Sequence, residues 1–63
     1  MENRALTMDE ACEYLGGISR STMYKLMGEG QINSLHIGRR RYVPRENLER
    51  FINDRVDYMS QHE

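Results

Sequence analysis

The chain has no tryptophan, one cysteine, one proline and one phenylalanine among its 63 residues. A lone cysteine forms no internal disulfide, so packing alone must hold the fold, and a reducing compartment is the expected setting. No apolar run approaches the ~20 residues of a membrane-spanning helix. The N-terminus also has no signal-peptide pattern, so a soluble, cytoplasmic protein with no membrane contact is expected. Cys12, His36 and His62 share no metal-ligand spacing, which argues against a zinc site. Glycine-rich phosphate loops, nucleophile motifs and close acid pairs are lacking as well. No metal, no cofactor and no catalytic residues are therefore expected.

What the chain does have is charge arranged in blocks. The net charge of −1 hides them. Residues 20–45 hold Arg20, Lys25, Arg39, Arg40, Arg41 and Arg45 against Glu29 alone, a balance of +5, while each flank carries −3. Binding follows the field at the contacting face rather than the overall sum. A basic middle between acidic ends keeps a nucleic-acid partner open.

The chain is short enough for one domain, with an ordered core expected over about residues 6–59, and domains this small are often only marginally stable. Residues 1–6 read as a lead-in. Thr7 and Glu10 match a capping box, and Asp9 adds negative charge to the first turn. Met8, Ala11, Cys12 and Leu15 recur at helical spacing, which predicts a first helix over roughly 8–15. Cys12 on that stripe reads as a small buried hydrophobe. Tyr14 lies off the stripe, either packed against a neighbour or covering surface. Gly16-Gly17 ends the helix.

Ser19 is a candidate N-cap for a second helix, with Ile18 and Met23 at hydrophobic-staple positions. Met23, Leu26 and Met27 make its apolar stripe, and Gly28 and Gly30 close it. The opposite side carries Arg20, Ser21, Tyr24 and Lys25. Two helices across a glycine turn, the second with a cationic outer side, describe a helix-turn-helix; the plainer reading is a helical hairpin with a solvated surface.

After Gly30 the period changes. Residues 32–37 and 39–43 read as strands of a hairpin with Gly38 in the turn. A two-residue II′ loop pairs Ile37 with Arg40 and Leu35 with Tyr42, whereas a three-residue loop pairs Leu35 with Val43. Arg39, Arg40 and Arg41 crowd the tip, where like charges repel. Phosphates relieve that repulsion, and a narrow minor groove accepts a guanidinium; a solvated charge cluster is the plainer account. Pro44 fits the first turn of a last helix. Leu48, Phe51, Ile52, Val56 and Met59 give that helix an apolar stripe over roughly 45–59, closing the core against the first helix. Arg45 is its best phosphate contact, and residues 60–63 are expected to fray.

Four stretches now stand in a telling order: Leu6-Thr7-Met8-Asp9-Glu10-Ala11 with Tyr14-Leu15; Ile18 through Leu26; Ile37-Gly38-Arg39-Arg40-Arg41-Tyr42-Val43-Pro44-Arg45; and Leu48-Glu49-Arg50-Phe51-Ile52. Over about residues 6–52 the chain resembles the MerR-like winged helix-turn-helix modules of the excisionase family, mycobacteriophage excisionases among them. The resemblance implies a mainly α fold with three helices and a two-stranded hairpin wing. It implies that Ser19, Arg20, Ser21, Thr22, Tyr24 and Lys25 occupy a major-groove helix, with Arg39, Arg40 and Arg41 in a wing that enters the adjacent minor groove. It also implies no catalysis. The implied partners are double-stranded DNA at attachment-site arms, a phage integrase steered towards excision, and further copies bound head to tail along bent DNA. The −1 net charge departs from strongly basic excisionases. Lys25, Arg39, Arg41 and Arg45 are the expected phosphate contacts, while Arg20, Ser21 and Tyr24 read base edges, Arg20 as a bidentate guanine contact. The alternatives are a small phage or prophage transcriptional regulator with the same apparatus, and an adaptor whose arginines bind an acidic protein.

Overall fold

The computed structural model describes residues 4–56. The elements run β1 (Ala5–Thr7), α1 (Met8–Tyr14), α2 (Arg20–Gly28), β2 (Leu35–Ile37), β3 (Arg40–Pro44) and α3 (Arg45–Arg55). Three helices and a small antiparallel sheet make a winged helix-turn-helix.

Local chemistry sets both helices of the motif. The Thr7 hydroxyl accepts the Glu10 N–H while the Glu10 carboxylate accepts the Thr7 N–H, completing the capping box of α1. At its far end the Gly17 N–H reaches back to the Cys12 carbonyl and the Gly16 N–H to that of Glu13. This is a Schellman closure, made possible by positive φ at Gly16 and Gly17. Ser19 caps α2, accepting the Thr22 N–H at 3.1 Å. A second Schellman pair, Gln31 to Leu26 and Gly30 to Met27, ends it, with Gly30 at φ +80°. Gly28, by contrast, is the last helical residue.

The core is Leu6, Met8, Ala11, Cys12, Met23, Ile32, Val43 and Leu48, with Leu15, Ile18, Leu26, Met27 and Phe51 partly buried against it. Helices α1 and α2 thus contribute their expected stripes, α3 contributes Leu48 and Phe51 of its own, and Cys12 is buried. Burial pushes its thiol above the ordinary value, against a smaller opposing pull from Arg20.

The wing departs from expectation in three ways. Its sheet has three strands in the order β1-β3-β2, because Ala5, Leu6 and Thr7 pair with Pro44, Val43 and Tyr42. The lead-in expected over residues 1–6 therefore ends in a strand. Three residues carry no readable period, and β1 exists because β3 offers an edge and Leu6 is buried opposite Val43. The strand expected from residue 32 begins at Leu35. Ile32 turns into the core at 1 % exposure, and the Asn33 N–H is held by Asn47 Oδ1 at 2.9 Å instead of by a ladder partner. Pro44 ends β3 as the residue before α3, with φ −63° and ψ 134°, rather than lying in the first helical turn. Its extended ψ suits the strand, and its φ is the value that the pyrrolidine ring fixes.

The β2–β3 register is the two-residue one: Leu35 pairs with Tyr42, His36 with Arg41 and Ile37 with Arg40. Gly38 at φ +63° followed by Arg39 without positive φ fits the II′ turn. Helix α3 packs on α1, as anticipated, and on β3 as well. Described helix ends at Arg55, with Val56 extended beyond it. Met59 and residues 60–63 lie outside the described residues. Ile52 is 38 % exposed, lining an apolar groove of about 490 Å³ with Tyr14, Leu15, Ile18, Leu26 and Val56 instead of filling the core.

Candidate nucleic-acid interface

Helix α2 buries Met23 completely and half-buries Leu26 and Met27, which leaves Arg20, Ser21, Tyr24 and Lys25 on its exposed arc. Thr22 stands at the margin of that arc, lining the apolar groove, with its hydroxyl 3.0 Å from that of Ser19. Ser19 and Thr22 thus serve the cap of α2 before anything else. Ser21 and Lys25 make no side-chain hydrogen bond or ion pair among the described residues. Arg20 is differently situated: its Nε and Nη2 donate to Asp9 Oδ1 at 2.9 and 2.7 Å. That hydrogen bond, with the carboxylate's charge, pushes the Arg20 pKa further up.

The wing's side chains are sorted by the strand's alternation. Val43 points into the core, so Arg41, two residues before it, lies on the face that the helices cover; Arg40 and Tyr42 lie on the other. The Arg41 guanidinium carbon sits 5.8 Å from the centroid of the Tyr24 ring, and Nη1 is 4.0 Å from Met27 Sδ. A cation over a ring face is attracted by the ring's quadrupole. The wing and the exposed arc of α2 consequently meet on one side of the molecule. Arg39 and Arg40 are exposed at the tip, and their side chains make no hydrogen bond or ion pair among the described residues.

Arg45 is not gathered with these. It is half-buried at the opposite end of β3, where its N–H donates to the Arg4 carbonyl, and it lines a hollow with Arg4, Glu46 and Glu49. An ion pair of 3.4 Å joins Arg4 to Glu46 in the same hollow.

A family model described as a helix-turn-helix domain matches residues 5–56. The chain belongs to this helix-turn-helix family. No curated protein and no solved structure matches the chain. The helix-turn-helix family includes excisionase-like DNA-binding proteins, and membership points to DNA binding. The matched span takes in β1 and all of α3, so in this helix-turn-helix chain the third strand belongs to the family unit. Among the described residues, no helix is long and apolar enough to cross a membrane. No three His, Cys, Asp or Glu side chains among them group as a metal site would require.

Two residues of this face escaped the sequence reading. Asp9 reads as a helix-dipole charge, and only the fold of α1 against α2 carries it to Arg20. His36 pairs with Arg41 and shares its side of the sheet; the alternation of Leu35, His36 and Ile37 held that signal, once the register was fixed.

Proposed function

We propose that this protein binds duplex DNA sequence-specifically, with α2 in the major groove and the β2–β3 wing in the adjacent minor groove. We further propose that it does so as an excisionase-type architectural factor, a recombination directionality factor beside a phage attachment site. The observation that carries the reading is the seat of Arg41 on Tyr24, which puts wing and helix within reach of one duplex. A helix with its side chains is about 10–12 Å across, which a major groove ~12 Å wide admits.

In this reading Lys25, Arg39, Arg40 and Arg41 contact phosphates, with an arginine of the tip in the minor groove. Arg20, Ser21 and Tyr24 face base edges. Ser19 and Thr22 lie at the leading end of the helix against the backbone. Arg45 enters only as an outlying phosphate contact. Because a single module buries only ~600–1,000 Å², neighbouring copies associate head to tail on adjacent sites. Such a contact does not close, so it extends along the duplex and imposes a bend. A phage integrase then assembles on the bent arms in the excisive arrangement. Support for the recombination role comes from the order of the motifs across residues 6–52 and from a family that includes excisionase-like proteins.

Footprinting across a phage attachment region, with and without integrase, tests this directly. The expected result is cooperative protection of adjacent repeats, with excision stimulated. Protection of promoter operators without any effect on recombination points to a transcriptional regulator. Failure to bind any duplex at low salt refutes the DNA reading and favours an acidic protein partner.

A further inference from the structure

Arg20 is the first residue of α2, where a recognition helix brings its leading side chains to base edges. Of the cations facing outward from α2 and the wing tip, it has a carboxylate partner, and that partner comes from the other helix of the motif. Asp9 and Glu10 both lie in the first turn of α1, but they divide the work. The Glu10 carboxylate closes the capping box, whereas the Asp9 carboxylate reaches across to Arg20. Both partners stay open to solvent, at 58 % for Arg20 and 77 % for Asp9. An ion pair so exposed does little for stability. Its geometry is more telling.

A guanidinium offers two usable edges, one from Nε and a terminal nitrogen, the other from the two terminal nitrogens. Asp9 takes the first, since Nε and Nη2 both donate to its Oδ1. The outer edge, with both N–H groups of Nη1 and the remaining one of Nη2, stays open. Two parallel N–H donors at that edge match the O6 and N7 acceptors of guanine in the major groove.

We propose that Asp9 is a positioning residue for base recognition: it grips Arg20 by the inner edge and fixes the outer edge for one guanine. The inference rests on the DNA-binding reading above. Two consequences of opposite sign follow. Fixing the rotamer sharpens discrimination at one base pair. A carboxylate beside the phosphate backbone meanwhile repels DNA of every sequence, so Asp9 lowers non-specific affinity.

The test uses the full chain. Selection from a randomised duplex pool defines the preferred site. Anisotropy titrations against all single base-pair changes then compare the natural chain with Asp9→Asn, Arg20→Ala and the double variant, and thermal melts check folding. The natural chain is expected to lose about 5- to 150-fold in affinity when one guanine is replaced. Asp9→Asn collapses that ratio to about threefold or less and binds random-sequence DNA more tightly. Arg20→Ala abolishes the same preference, and the double variant loses no more.

A merely structural Asp9 would weaken all sequences together and lower the melting temperature, leaving the ratio intact, and that result overturns the proposal. So does a guanine preference that survives in Asp9→Asn but vanishes in Arg20→Ala, which leaves the DNA reading standing. A preference that persists in Arg20→Ala overturns it as well. No binding of the natural chain to any duplex removes the underlying reading instead.

Discussion

Replacing Arg39 and Arg40 together by alanine isolates the electrostatic part of binding. Both side chains are exposed, and neither side chain makes a hydrogen bond or ion pair among the described residues. The double change therefore removes charge without breaking a contact, and stability stays within about 0.5 kcal/mol, aided if anything by relief of repulsion at the tip. Each phosphate neutralised contributes about −0.9 to the slope of log affinity against log salt. With Lys25, Arg39, Arg40 and Arg41 engaged as proposed, the natural chain should have a slope of about −3.6, which is a ~150-fold loss of affinity between about 50 and 200 mM salt. The double variant should have a slope of about −1.8 and lose only ~12-fold over the same range. Anisotropy titrations at four or five salt concentrations measure this, with a thermal melt to establish that the fold is unchanged. A slope equal in the two proteins refutes the wing as a phosphate contact, whatever happens to the affinity at one salt concentration.

Other outcomes follow from the packing. Leu48→Ala empties a fully buried position of α3 and should cost ~2–5 kcal/mol. A domain of this size often has only ~3–5 kcal/mol in total, so urea titration should find the variant partly unfolded at 25 °C, and added cognate duplex should restore it in part. Gly28→Ala and Gly30→Ala should move stability in opposite directions, although a new Cβ meets nothing within 4 Å at either site. Gly28 is helical, so alanine gains about 0.4–1 kcal/mol. Gly30 holds φ +80°, which costs an L-residue about 1–2 kcal/mol. Equal melting temperatures would contradict the closure described for α2. Cys12 should react slowly with iodoacetamide at pH 8 while folded and rapidly in urea. Its folded thiol is pushed above the ordinary 9.0, so the unfolded chain releases that proton first. The stabilisation is complete below about pH 9 and is lost as pH rises through the folded value. A melting temperature that climbs above pH 9 would oppose this.

Local chemistry is what the sequence alone determined. Thr7 with Glu10, Ser19 before Arg20, and the glycines just past α1 and α2 satisfy backbone groups within a few residues of themselves, so their roles can be read without a fold. The apolar spacing of Met8, Ala11 and Cys12, and of Met23, Leu26 and Met27, is equally local, as is the block of positive charge from Arg20 to Arg45. The tertiary structure alone decided whatever depends on a partner far along the chain. Strand β1 needed β3, 35 to 39 positions away, and Ile52 found a groove where its spacing promised core. Arg41 faces α2 because Val43 is buried two residues on, a matter of register that a hairpin sequence leaves open. The approach of Asp9 to Arg20 depends on how two separately legible helices cross. Helix caps close over one turn of chain, whereas a strand's neighbours and a side chain's facing partner exist only once the core has brought distant segments together.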